Sequence, residues 1–137
     1  MAAGWHTLEG MSTHTPGVVR RTLSRLAASA KEHEAAELRE GCVHVGATLV
    51  ADLPAREQVV VAGTLRTVTL RPRAGVPALV AELYDGSGTI SIVWLGRRQI
   101  VGIEPGRQII CWGRVSLDHD RPVIFNPRYE LRPVGAE

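Results

Sequence analysis

A chain of 137 residues suffices for one domain with a hydrophobic core plus an appendage, and is too short for two full domains. Hydrophobic residues make up 45% of it, ordinary for a globular protein, but aromatic residues only 4%, so any site built on rings must be small. The formal charge of +2 is unevenly placed: residues 1–56 hold six basic and six acidic side chains, residues 57–132 ten and seven.

All ten basic residues of that second stretch are arginines, which suit phosphates and base edges. An Arg-, Ala- and Val-rich composition also follows from a GC-rich genome. Cys42 and Cys111 lie in different segments and form no CxxC pair, which fits a reducing compartment. MAAGWHTLEG lacks a basic stretch followed by an apolar one, and no apolar run approaches the length of a membrane span. A soluble, cytoplasmic protein without membrane contact is expected. Met11 offers an alternative start to Met1.

Residues 1–10 show no periodicity, and residues 1–15 are expected as a disordered N-terminus. Over residues 16–40, Val19, Leu23, Leu26 and Ala30 recur at helical spacing, which predicts an amphipathic helix. Thr15 before Pro16 suits an N-cap, and Gly41 suits a stop. The second half, KEHEAAELRE, is charged, with a narrow stripe of Ala35 and Leu38. Such a helix either packs on the neighbouring domain or docks a protein partner through residues 16–40. Residues 41–56 mix short apolar groups with Gly and Pro and read as a linker, extended around residues 43–50 and ended by Pro54.

From Glu57 the period changes to two, the mark of strands. The first expected strand, residues 57–70, puts Val59, Val61, Gly63 and Leu65 on one face, with Gly63 suited to a kink or close approach. The second, residues 78–84, alternates Leu79, Ala81 and Leu83 against Val80, Glu82 and Tyr84. DGSG at residues 85–88 supplies a hairpin turn. The third, residues 89–95, places Ile90, Ile92 and Trp94 on one face. GRRQIVGIEPG holds at most a short helix before a Pro-Gly turn. The fourth, residues 107–115, turns Ile109, Cys111 and Val115 inward. SLDHDR reads as a polar loop, and PVIFNPRYEL as the fifth strand, with Pro127 marking a bulge or edge. Residues 133–137 remain as a tail. Five short strands over residues 57–132 make a closed antiparallel barrel the natural architecture, since closure protects their apolar edges.

The order DGSG, IVWLGRR, IEPGR, a glycine-centred fourth strand and NPRYEL resembles a known family. It is similar to the short actinobacterial OB-fold nucleic-acid-binding domain proteins, themselves similar to the wedge domain of RecG-type branched-DNA helicases. The likeness covers residues 56–131, and RLAASAKEHEAAELRE resembles the helical lead-in of those proteins. The resemblance implies a mainly β chain, a five-stranded OB-fold β-barrel with an N-terminal α-helix, in a nucleic-acid-binding role.

OB barrels bind single strands across strands two and three, with the loops between strands one and two and between four and five closing over the ligand. Arg71 and Arg73 lie in the first of these loops, where Pro72 is expected to keep their guanidiniums out of strand pairing. Arg121 lies in the second, offset by Asp118 and Asp120. Arg97 and Arg98 follow Trp94 where, by resemblance, the wedge presents aromatic and basic groups to branched DNA. Trp94 shares phase with Ile90 and Ile92, which equally fits a core tryptophan, and Leu95 stands where a second aromatic would aid stacking. Arg128 and Tyr129 offer a cation and a ring on strand five. On the outer face of strands two and three, Val80, Glu82, Thr89, Ser91 and Val93 contain an anion and no ring, leaving Tyr84 as the only stacking group. Trp112 and Arg114 share the outer phase of strand four with Arg66 of strand one, the strand expected to pair with it, and that patch suits the helix or a partner.

The binding set is therefore Arg71, Arg73, Tyr84, Trp94, Arg97, Arg98, Arg121 and Arg128, for single-stranded or branched DNA or for RNA. Cys42 and His44 form a CxH pair without a second half, so no metal site is expected. No phosphate loop, dinucleotide pattern or nucleophile beside His119 appears. A binding module without catalytic residues or cofactor is the expectation, with a protein-interaction adaptor as the alternative.

Overall fold

The structure, a computed structural model, describes residues 17–133, with side chains from residue 23 onward. The expected disorder of residues 1–15, the Thr15 cap and residues 134–137 of the tail lie outside them. The chain divides into two units between Glu34 and Ala35. The described part of the first is the N-terminal portion of helix α1 (Gly17–His44). Leu23 and Leu26 of its apolar stripe are about three-fifths exposed, at 60% and 62%.

The second unit holds the rest of α1 and every strand. Gly41 does not stop the helix, as its position suggested. Burial of Cys42, whose thiol donates a hydrogen bond to the Ala62 carbonyl at 2.7 Å, outweighs glycine's helix penalty of about 1 kcal/mol. The stop comes at Gly46, which takes φ +78 while its N–H reaches the Val43 carbonyl and the Ala47 N–H the Cys42 carbonyl, a Schellman motif. The expected extended linker is thus helix to His44, followed by a 3-10 turn at Val50–Asp52.

Seven strands form one sheet: β1 (Gln58–Leu70), β2 (Ala78–Tyr84), β3 (Thr89–Leu95), β4 (Gln108–Arg114), β5 (Ser116–Asp118), β6 (Arg121–Phe125) and β7 (Arg128–Leu131), in the order β5-β6-β3-β2-β1-β4-β7. All pairings are antiparallel except β3 with β6. The sheet curls until β6 meets β4, closing a ring of five strands. Gly113 permits this approach, because a Cβ there would stand 2.5 Å from Ile124 Cγ2. Among the described residues the protein is mainly β, with one α-helix on the N-terminal side of the sheet in sequence.

Period-two alternation fills the ring as the sequence indicated. Val59, Val61 and Leu65 of β1, Leu79, Ala81 and Leu83 of β2, Ile90, Ile92 and Trp94 of β3, and Ile109 and Cys111 of β4 form one buried cluster with Val115 and Ile124. Each large aliphatic side chain so buried contributes about 1.5–3 kcal/mol. A bulge between Leu65 and Thr67 then shifts the phase, so Val68 rather than Thr67 turns toward this core. β1 pairs with β4 as expected, with Val60 opposite Trp112 and Gln58 opposite Arg114, and this pairing ends at Thr64 opposite Gln108, before Arg66.

Three further expectations change. No helix forms between β3 and β4: Gly96, Gly102 and Gly106 all take positive φ, and Ile100 and Ile103 turn into the core from an irregular loop. SLDHDR is not a loop but β5 and a tight hairpin into β6. The fifth expected strand is divided at Asn126, φ +48, and Pro127, so β6 pairs with β3 and β7 with β4.

DGSG is a hub as well as a turn. Asp85, fully buried, accepts from the N–H groups of Ser87 and Gly88 and the Ser87 hydroxyl through Oδ1, and from the Val50 N–H through Oδ2 at 2.7 Å. The Gly86 carbonyl accepts from Arg39 Nη1 at 2.9 Å, tying the end of α1 to the same turn.

Candidate nucleic-acid interface

Two hairpin tips rise beside the outer face of β2 and β3. At the first, Arg73 and Val76 exchange backbone hydrogen bonds of 2.8 and 2.9 Å across Ala74 and Gly75, both at positive φ, the pattern of a type I′ turn. The backbones of Arg71 and Arg73 take part in pairing, since the Arg71 N–H also bonds to the Ala78 carbonyl. Pro72 lies between them without breaking the ladder. At the second tip His119 and Asp120 are at φ +53 and +65, again a two-residue turn of that hand.

Arg73 links the tips: its Nη2 lies 3.2 Å from Asp118 Oδ2, and its guanidinium carbon 5.2 Å from the Phe125 ring centroid. Both partners of the ion pair are more than a third exposed, so it contributes at most about 1 kcal/mol, and its effect is to hold the tips in register. Asp118 Oδ1 also lies 2.9 Å from His119 Nδ1.

Between the tips and the strands lies a groove of about 330 Å³. Its floor consists of cross-strand rows. One sets Thr67, Glu82, Ser91 and Val123 abreast, and the next Thr69, Val80, Val93 and Phe125. Val93 and Val123 are buried in a small second cluster with Ala78, against which Val80 and Phe125 pack. Arg71, Arg73 and Arg121 line the rim. With Arg73 paired to Asp118, two arginines face one floor carboxylate, a mildly positive surface suited to a polyanion.

Of the residues singled out from the sequence, Arg71, Arg73 and Arg121 come together here. The other five do not line the groove. Trp94 is 5% exposed and packs edge-to-face on Tyr129 at 5.7 Å, so it belongs to the core and offers no face to a base. Its buried Nε1–H has no hydrogen-bond partner among the described residues. The half-buried Tyr84 carries the Arg66 guanidinium 4.0 Å above its ring, which occupies that stacking face. Arg97 and Arg98 are exposed in the loop after β3. Arg128, on β7, stacks 4.7 Å over Trp112.

Thr67, Thr69, Ser91 and His119 are groove residues that sequence reasoning did not select. Strand phase placed Ser91 outside, but only the bulge puts Thr67 and Thr69 beside it. Cys42 and His44 share no site, one buried and the other exposed. Burial, reinforced by the Asp85 charge, raises the Cys42 thiol to about 11, and burial alone raises Cys111 to about 12, so neither is a ready nucleophile.

No protein-family model matches the chain, and no curated protein matches it.

Proposed function

We propose that the ring is an OB-type barrel and a non-catalytic module that binds single-stranded nucleic acid in the groove over β2 and β3. Its strand order supports this: β5 continues β4 beyond Val115, and β6 and β7 are halves of one bent strand, which reduces the sheet to the five strands of a Greek-key barrel. The observation that carries the functional reading is the convergence of Arg71, Arg73 and Arg121, from two separate hairpins, on one groove.

The chemistry is that of backbone contact. Among the described residues the rings at the groove are Phe125, which Arg73 covers, and the exposed imidazole of His119, so the stacking platform, worth about 1–3 kcal/mol per base, is small. A continuous single strand fits better than a branch point, because Trp94, the expected wedge aromatic, is buried.

Fluorescence anisotropy with labelled single-stranded and forked DNA and single-stranded RNA tests this. Three phosphate contacts give a log–log salt slope of about −2, at about −0.7 per contact. Arg71→Ala with Arg121→Ala should reduce it to about −0.7, and an unchanged slope would refute the placement. Leu23 and Leu26, exposed on α1, favour a second reading as a protein-interaction adaptor, and failure of every oligonucleotide to bind at low salt would move it to first place.

A further inference from the structure

We infer that the groove selects guanine, with the Glu82 carboxylate accepting hydrogen bonds from the guanine N1–H and N2–H₂. The inference rests on the nucleic-acid reading and deepens it. Glu82 stands exposed in the middle of the polar row, directly opposite Thr67 on one side and Ser91 on the other. Strands lie about 4.8 Å apart, so the row spans roughly 10 Å, wide enough for a purine edge. Asp118 is engaged by Arg73 and His119, whereas none of the ion pairs among the described residues involves Glu82.

An unpaired carboxylate on the floor repels phosphate. The sugar-phosphate chain must then follow the arginines at the rim, which turns the bases inward onto the rows. A carboxylate only accepts hydrogen bonds, so it rewards bases that present donors. Guanine alone offers two adjacent donors on its Watson–Crick edge, a match for the two carboxylate oxygens. Adenine and cytosine offer one amino group beside an acceptor nitrogen, and thymine or uracil one N–H between two carbonyls. The hydroxyls of Thr67 and Ser91 can donate to guanine O6, and Val80 and Val93 of the next row give the base an apolar support.

The test compares short oligothymidine strands carrying one central guanine, hypoxanthine or adenine, titrated against the full chain and its Glu82→Gln variant. The guanine strand should bind roughly tenfold more tightly than the adenine strand. Hypoxanthine, which lacks the 2-amino group, should fall between them. Glu82→Gln should bring the three within about twofold of one another and tighten binding of unsubstituted oligothymidine. Equal affinities for the wild type, or a guanine preference that survives Glu82→Gln, would overturn the assignment. If base identity has no effect while the arginine variants weaken binding, only the guanine assignment falls. If no strand binds at low salt, the nucleic-acid reading falls with it.

Discussion

Asp85 shows how much one side chain can hold. Its two buried oxygens accept four hydrogen bonds, joining the β2–β3 turn to the chain at Val50. Asp85→Ala leaves the buried Val50 N–H unsatisfied, at a cost of about 1–3 kcal/mol, and removes three part-buried bonds within the turn, so it should destabilise the fold by about 3 kcal/mol in urea titration. A loss below about 1 kcal/mol would contradict this role. The turn itself was legible in DGSG, but a contact spanning 35 residues leaves no local trace in the sequence.

The cysteines allow a second residue-scale check. Both thiols hold their protons to higher pH when folded than when unfolded, so the folded state binds more protons above the ordinary thiol value near 9. Stability from this source is complete below that pH and should decline as pH rises toward about 11 and then 12. Iodoacetamide should modify both residues in denaturant and neither at pH 8 in the native protein. Rapid native labelling at Cys42 would show that α1 separates from β1.

At the scale of elements, what repeats in sequence was readable and what depends on a distant partner was not. Period two fixed β2 and β3 to the residue and put Ile90, Ile92 and Trp94 in the core. The same phase buries Trp94, and a ring so buried offers no stacking face. The bulge at Arg66 has no compositional mark, yet it decides which threonines face the groove. SLDHDR looked like a loop because it is polar, and pairing with β6 makes it a strand. The helix ran past Gly41 because tertiary burial of Cys42 was invisible to a local stop signal.

Hairpin geometry carries its own test. Ala74 takes φ +50 at the first position of a type I′ turn, where alanine is strained and asparagine is preferred before glycine. Ala74→Asn should stabilise the protein by about 0.5–1 kcal/mol, read as a rise in Tm, while preserving the groove. A fall in Tm would show that the tip does not hold this conformation.

For the whole molecule, the closed ring organises a surface rather than a chemical centre. Closure sets the β1–β2 and β5–β6 tips side by side, and their meeting through Arg73 and Asp118 creates a groove that neither hairpin has alone. The sequence named the three arginines that reach it, but it placed Tyr84, Trp94, Arg97, Arg98 and Arg128 in the same site. Ring closure directs those five into the core, under another side chain or away from the groove. Among the described residues no helix is long and apolar enough to cross a membrane.

The most direct test is the affinity of the full chain for single-stranded oligonucleotide at two salt concentrations, beside a variant in which Arg71, Arg73 and Arg121 are all alanine. Wild-type binding should weaken with salt along a slope of about −2, and the variant should lose both the affinity and the slope. Equal binding by the two proteins, or none by either at low salt, would contradict the groove as the interface.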